Sequence, residues 1–236
     1  MKLIVSDEIQ RTFPDLRITI LVGHGIDNRG TDRGLQELKL AAADRIYRHF
    51  TYDHLNELTE IQAWREAYRT FGVKPKDSRP TAEAFLRRLI KGDGFPAISK
   101  VVDSYLLAET EYYLPVGGYD LSAITGDIRL RFSGGDEIFT PIGANFSEVT
   151  RAGEVVYSDD ARILTRKWNY RDCDYCKITE QSRDIALFSE APFDTIATAS
   201  LDDSISRMAE LVEKHCGGDV HTILLDASKD LEISLD

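Results

Sequence analysis

The sequence predicts an α+β fold, with a helical first part and a largely β second part. Three observations carry this. Apolar residues recur at spacings of three and four between Leu35 and Leu106. From Leu114 onward the pattern changes to short alternating or β-branched runs cut by glycine. A chain of 236 residues with 42% hydrophobic content is long enough for one sizeable core, or two closely packed lobes.

Taken in order, Arg17 to Val22 reads as a strand that Gly23-His24-Gly25 breaks. That glycine pair lacks the remaining glycine and the lysine of a phosphate loop, and His24 reads as a loop histidine. Leu35 to Phe50 is a helix with Leu35, Leu38, Ala42, Ile46 and Phe50 near one face. A second helix carries Ile61, Trp64, Tyr68 and Phe71 inward and stops at Gly72. Pro80 suits the first turn of a third, Thr81 to Ile90, and a fourth helical stretch runs from Ile98 to Leu106. Strand candidates follow at Ile128–Phe132, Ile138–Phe139, Glu154–Tyr157, Ala161–Trp168 and Ile185–Ser189. Asp202 to His215 reads as a helix, His221 to Leu225 as a strand, and a short terminal strand ends the chain.

The net charge of −11 argues against strong nonspecific nucleic-acid binding, which depends on neutralising phosphates. The average hides an asymmetry. Between Trp64 and Lys100 nine basic residues meet four acidic ones, a local +5 that leaves −16 for the rest. Arg65, Arg69, Lys74, Arg79, Arg87 and Arg88 are the candidate RNA contacts; the alternative is a set of solvated helix faces, with Arg87, Arg88 and Lys91 complementing a helix C-terminus. Three cysteines imply no disulfide framework. Cys173 and Cys176 form a C-x-x-C whose one candidate second pair for zinc is His215-Cys216; small buried thiols in a reducing compartment are the alternative. No apolar run approaches the ~20 residues that span a bilayer. No membrane partner is expected, and the location expected is the cytoplasm.

Two short stretches carry candidate binding chemistry. Pro115, Gly117 and Gly118 read as a turn where a ligand carbonyl meets backbone N–H groups, and Asp120 as a carboxylate fixing that loop. Trp168-Asn169-Tyr170-Arg171-Asp172 sets an amide, a guanidinium and a carboxylate beside two aromatics at a strand end. It reads as a binding patch built on Asn169, Arg171 and Asp172, or as a strand end held by an Arg171–Asp172 pair.

The ordered series WREAYRTFGVKPKDSRPTAEAFLRR, FPAISKVVD, LPVGGYDLSAITGDI and GEVVYSDDARILTRKWNYRD resembles the stand-alone proteins built on the B3/B4 domain of the phenylalanyl-tRNA synthetase beta subunit. The resemblance runs from Trp64 to Asp194, and the chain, 1–236, reads as one such domain. It implies helices packed on a sandwich-like sheet arrangement. It also implies tRNA binding through the acceptor end, and hydrolysis of a mischarged amino acid by oriented water. No covalent nucleophile is implied, and neither is a cofactor or a metal. The catalytic residues are left unassigned. Two departures bear on specificity: Gly117 stands where the synthetase domain typically has a histidine, and Lys167 to Asp172 lacks its glycine pair and tyrosine-reading glutamate. A trans-acting deacylase of different amino-acid specificity, a non-catalytic RNA-binding module working through a protein partner, and an amino-acid sensor are the three readings this leaves.

Overall fold

The computed structural model describes residues 1–236. The elements run β1 (Lys2–Val5), α1 (Asp7–Thr12), β2 (Arg17–His24), α2 (Arg33–His49), α3 (Tyr52–Glu57), α4 (Thr59–Thr70), α5 (Thr81–Ile90), α6 (Lys100–Tyr112) and β3 (Val116–Asp120). They continue with β4 (Ile128–Phe132), β5 (Ile138–Phe139), β6 (Glu148–Val149), β7 (Val155–Ser158), β8 (Ile163–Arg166), β9 (Arg171–Asp172), β10 (Ile185–Ala191), α7 (Thr198–Cys216), β11 (Asp219–Asp226) and β12 (Glu232–Ser234). The fold is α+β.

Two sheets and a helical layer make the body. The larger sheet has the order β12-β1-β4-β7-β8-β9, the smaller β11-β2-β10-β3. One core fills the space between the sheets: Ile18, Ile20 and Val22 of β2 face Leu3, Val5, Ile128, Leu130 and Val155. The other lies between the outer face of the smaller sheet and the helices, where Leu21, Ile185 and Leu187 meet Ile46, Leu86, Val101 and Met208. The side-chain period of two sends alternate residues of β2 into the two cores. Burial on both faces is why its sequence is a continuous apolar run rather than an alternating one.

The helices end where their sequences say. Asp32 accepts from Leu35 N at the start of α2, and Ser99 from Val102 N at the start of α6. Gly72, at φ +80°, follows α4. Pro80 caps α5 from just outside rather than sitting in its first turn. Asp32 also pairs with His215 Nδ1 at 2.9 Å, tying the start of α2 to the end of α7. A buried Lys39–Asp103 pair at 2.6 Å joins α2 to α6.

The expected α+β division holds, with strands and a helix added to it from the two ends of the chain. β1 and β2, from the first 24 residues, sit inside the two sheets, and α7 from the last third completes the helical layer. The turn expected at Pro115–Gly118 is an extended edge strand, and neither Gly117 nor Gly118 has positive φ. Glycine is needed at 118 because a Cβ there collides with Leu187 and lies 2.9 Å from Ala186 O. Cys173 and Cys176, with Sγ atoms 3.2 Å apart, belong to the inter-sheet core, whereas Cys216 belongs to the helical one. The four residues considered for zinc are thus divided between the two sides of the smaller sheet.

Candidate functional site

β3 and β9 are each an edge strand of its sheet, and residues of both line one cavity. A Cβ on Gly117 would stand 4.0 Å from Asp172 Oδ1 and meet nothing nearer. The space so opened is a cavity of about 100 Å³. β3 contributes Gly117 and Tyr119 to it, β7 Tyr157, β8 Thr165 and β10 Phe188 and Glu190. All five residues from Trp168 to Asp172 line it, with Val116 of β3, and Thr81, Tyr105 and Leu106 close the helical side.

The turn from β8 to β9 is the strained part of this wall. Lys167 and Trp168 both have positive φ, 49° and 67°, which is an outlying backbone for large side chains. Packing holds it. Trp168 is fully buried, with edge contacts to Phe13 at 4.8 Å and Trp64 at 5.1 Å between ring centroids. Lys167 Nζ donates to Ser78 Oγ at 2.8 Å. The turn thereby presents Asn169 inward and Arg171 at the rim, where the guanidinium reaches Glu148 at 3.4 Å.

The cavity is polar at its base. Tyr119 Oη and Thr165 Oγ1 are 2.6 Å apart, and Thr165 donates onward to Asp172 Oδ1 at 2.6 Å. With the threonine proton committed to the carboxylate, Tyr119 is the donor to Thr165. Tyr157 Oη donates to Glu190 Oε1 at 2.6 Å, and Tyr68 Oη to Asn169 Oδ1 at 2.8 Å. Burial pushes Asp172 up to about 6, against the bond from Thr165 that lowers it. Burial pushes Glu190 up to about 7, with Tyr157 and Trp168 opposing and the charge of Asp172 adding to the rise. Trp168 Nε1 is close enough to Glu190 to lower its pKa but makes no hydrogen bond of normal geometry. Asn169 Nδ2 is likewise without a partner. On α6, Glu109 is buried with both oxygens unpartnered, and burial raises it well above the usual carboxylate range.

Beside this cavity lies a basic hollow of about 460 Å³ between α4, the loop after it, and α5. Arg65, Arg69, Lys74, Lys76, Arg79 and Arg87 line it, with Glu83 as the one acid among the lining residues. Glu83 is the fastener. Its side chain is 2% exposed and accepts from Arg65 Nε at 2.7 Å and Nη2 at 2.8 Å, and from Arg87 Nε at 2.8 Å. Arg79 comes to 3.6 Å. Burial alone would raise Glu83, but the bonds from Arg65 and Arg87 outweigh it and hold the carboxylate below its ordinary value. Lys74 and Lys76 line the hollow without pairing to Glu83, which the arginines occupy.

A second open hollow of about 530 Å³ continues from the first. It shares Arg79 and Arg87 with the basic hollow, and Thr81 and Tyr170 with the cavity. Arg88 and Lys91 stand on this continuation, and Arg88 also donates to Asp93 O and Gly94 O beyond the end of α5. A wider hollow of about 650 Å³ lies elsewhere, over Arg131, Glu137, Asp159, Arg162 and Tyr175. Its charged groups are engaged: Arg131 with Glu137, Asp159 with backbone N–H groups, Arg162 over the Tyr175 ring.

The predicted site residues thus divide. Gly117, Asn169, Arg171 and Asp172 line one cavity, whereas Pro115 and Gly118 do not. Arg65, Arg69, Lys74, Arg79 and Arg87 line one hollow, with Arg88 on its continuation. Arg171 pairs with Glu148 rather than with Asp172. Asp120 fixes its loop by accepting from Ser122 and Ser182. Sequence reading missed Glu190, Tyr119, Tyr157 and Thr165. The available signal was the polar pair Ser189-Glu190 inside an otherwise apolar strand.

Residues 63–217 match the family described as the B3/4 domain. A segment of 116 residues is 28% identical to the phenylalanine–tRNA ligase beta subunit of Shewanella oneidensis, covering 49% of this chain and 14% of that protein. An N-terminal fragment of the phenylalanyl-tRNA synthetase beta subunit from Pyrococcus horikoshii aligns with a TM-score of 0.46 and 12% identity, over 94% of this chain and 53% of that one. The chain therefore corresponds to a small part of the curated bacterial relative. The matched span is well over half of the 236 residues and holds the cavity, the basic hollow and the surface joining them: the chain belongs to the B3/4 domain family.

Proposed function

We infer that the chain binds the aminoacylated 3′ end of a tRNA and hydrolyses the ester of a wrongly attached amino acid. One observation supports this above the others. Arg79 and Arg87 belong to both the basic hollow and the second one, where Arg88 and Lys91 join them beside Asp77 and Asp93, and Thr81 and Tyr170 belong to both the second hollow and the cavity. A phosphodiester chain can follow the guanidinium groups while its terminal acyl group enters the cavity. An acidic protein with one basic path fits a ligand that is anionic along its length but not at its tip. The beta-subunit relative acts in aminoacylation of tRNA by its name, and the family shared with it favours RNA as the ligand.

The chemistry proposed is attack by water. Water oxygen bonds to the carbonyl carbon, the ester C–O bond breaks, and the proton ends on the ribose oxygen. The cavity hydroxyls of Thr165 and Tyr157 are committed to carboxylates, which leaves orientation of water by polar groups as the means of rate enhancement. The basic rim disfavours a small-molecule sensor, which needs no path for phosphates.

The test is hydrolysis of a panel of mischarged tRNAs by the purified protein, with the double variant Asn169→Ala, Arg171→Ala as control. Selective turnover that the double variant loses supports trans deacylation at this cavity. Absence of turnover with tRNA binding retained at moderate salt overturns the hydrolase and leaves an RNA-binding module.

A further inference from the structure

The base of the small cavity is built of matched opposites. Two carboxyls, Asp172 and Glu190, face the same space, and each is already reached by one hydroxyl donor. The cation at this wall, Arg171, is turned to the rim and to Glu148, so no protein cation neutralises the pair. Beside them, two donors on lining side chains lack acceptors: Trp168 Nε1, on a fully buried side chain, and Asn169 Nδ2, on one that is 9% exposed. A buried carboxyl and a half-buried one without a cation, next to two N–H groups without an acceptor, are costly in an empty site. One ligand relieves both: a primary ammonium for the carboxyls, adjacent to a carbonyl oxygen for the N–H groups. An α-aminoacyl group carries those two functions one carbon apart.

Tyr119, Tyr157 and Phe188 form one aromatic wall of this cavity, with ring centroids 5.5 to 6.2 Å apart.

We propose that this cavity is a receptor for a free primary ammonium, held by Asp172 and Glu190, and that it therefore takes unblocked aminoacyl groups and rejects N-acylated ones. The proposal rests on the reading of the cavity as the aminoacyl site, and specifies what that site reads. Acylating the amine removes its charge, and with it the attraction to the two carboxyls. Glu190 and Asp172 are then the specificity-determining residues, and Asn169 the group that orients the carbonyl.

The test uses L-alaninamide and N-acetyl-L-alaninamide, which need no tRNA. Each is titrated into the full chain while the Trp168 indole N–H resonance is followed, with Trp168→Phe used to assign it. L-alaninamide shifts the resonance; the N-acetyl compound leaves it in place. Glu190→Gln and Asp172→Asn each weaken L-alaninamide by about 10-fold or more, with melting temperatures recorded to confirm that both variants fold. Equal binding of the two amides, no binding of either, or an unchanged affinity in both folded variants overturns the ammonium receptor. A parallel assay separates the two claims by comparing an aminoacyl-tRNA with its N-acetylated form. Hydrolysis of both forms at equal rates sinks the receptor and keeps the deacylase. Amine-selective binding of L-alaninamide with hydrolysis of neither form keeps the receptor and sinks the deacylase.

Discussion

Replacing Glu190 by glutamine removes a carboxyl whose folded-state pKa lies near 7, against an ordinary value of 4.5. The cause is burial, so the folded protein holds the proton more tightly than the unfolded chain does. Where the folded state binds more protons, stability falls as pH rises. The loss begins near the unfolded value and is complete above the folded one. For one group moving from 4.5 to about 7, linkage gives a loss of about 2.5 kcal/mol between about pH 5 and about pH 8.5. Glutamine keeps an acceptor for Tyr157 Oη and carries no charge to desolvate, but its amide leaves a buried NH₂ that costs ~1–3 kcal/mol if it finds no acceptor. That cost does not change with pH. The expectation is that urea unfolding shows Glu190→Gln gaining on the parent by about 2.5 kcal/mol from the lower pH to the higher, whatever its offset at either one. Stability curves that stay parallel across this range would refute the reasoning, because the carboxyl would then not be held protonated by the fold.

Four further outcomes follow from the same geometry. Asp172→Asn shows the same direction in a lower window, from 3.8 to about 6, again because burial raises the group. Gly118→Ala is destabilising by ~1–3 kcal/mol in thermal or urea unfolding, because its methyl meets Leu187 and the Ala186 carbonyl; Gly117→Ala unfolds close to the parent and reduces ligand binding instead. Glu83→Ala costs ~3–5 kcal/mol, since Arg65 is left half-enclosed without its partner, and tRNA affinity measured by filter binding falls with the loss of the arranged guanidinium groups. Lys74→Ala with Lys76→Ala leaves unfolding unchanged and lowers the slope of log affinity against log salt by ~0.7 for each phosphate contact removed.

Much of the fold was legible locally. α5 runs from Thr81 to Ile90 as its pattern implies, and Ile128–Phe132 is a strand with the expected bounds. Helical spacing put Trp64 in the core, where it is fully buried against Trp168. Short or glycine-bearing segments were not legible. β1 is four residues long and β3 contains two glycines, so neither carries a pattern that outweighs its composition. Each is a strand because a neighbouring strand supplies its hydrogen bonds: β4 and β12 for the first, β10 for the second.

The sequence by itself determined the α+β class, most helix spans and the local excess of basic charge, because these depend on residues near one another in the chain. The motif series from Trp64 to Asp194 determined the family. Only the tertiary structure decided that Gly117 and Asp172, 55 positions apart in sequence, face one another across the edges of two sheets. It alone decided that Glu190, on the inner strand β10 of the smaller sheet, completes the cavity, and that Arg65 and Arg87 share one carboxylate. The physical reason is common to all three. Burial and electrostatic pairing act through space, and a residue's sequence neighbours do not report who will be beside it when the sheets close.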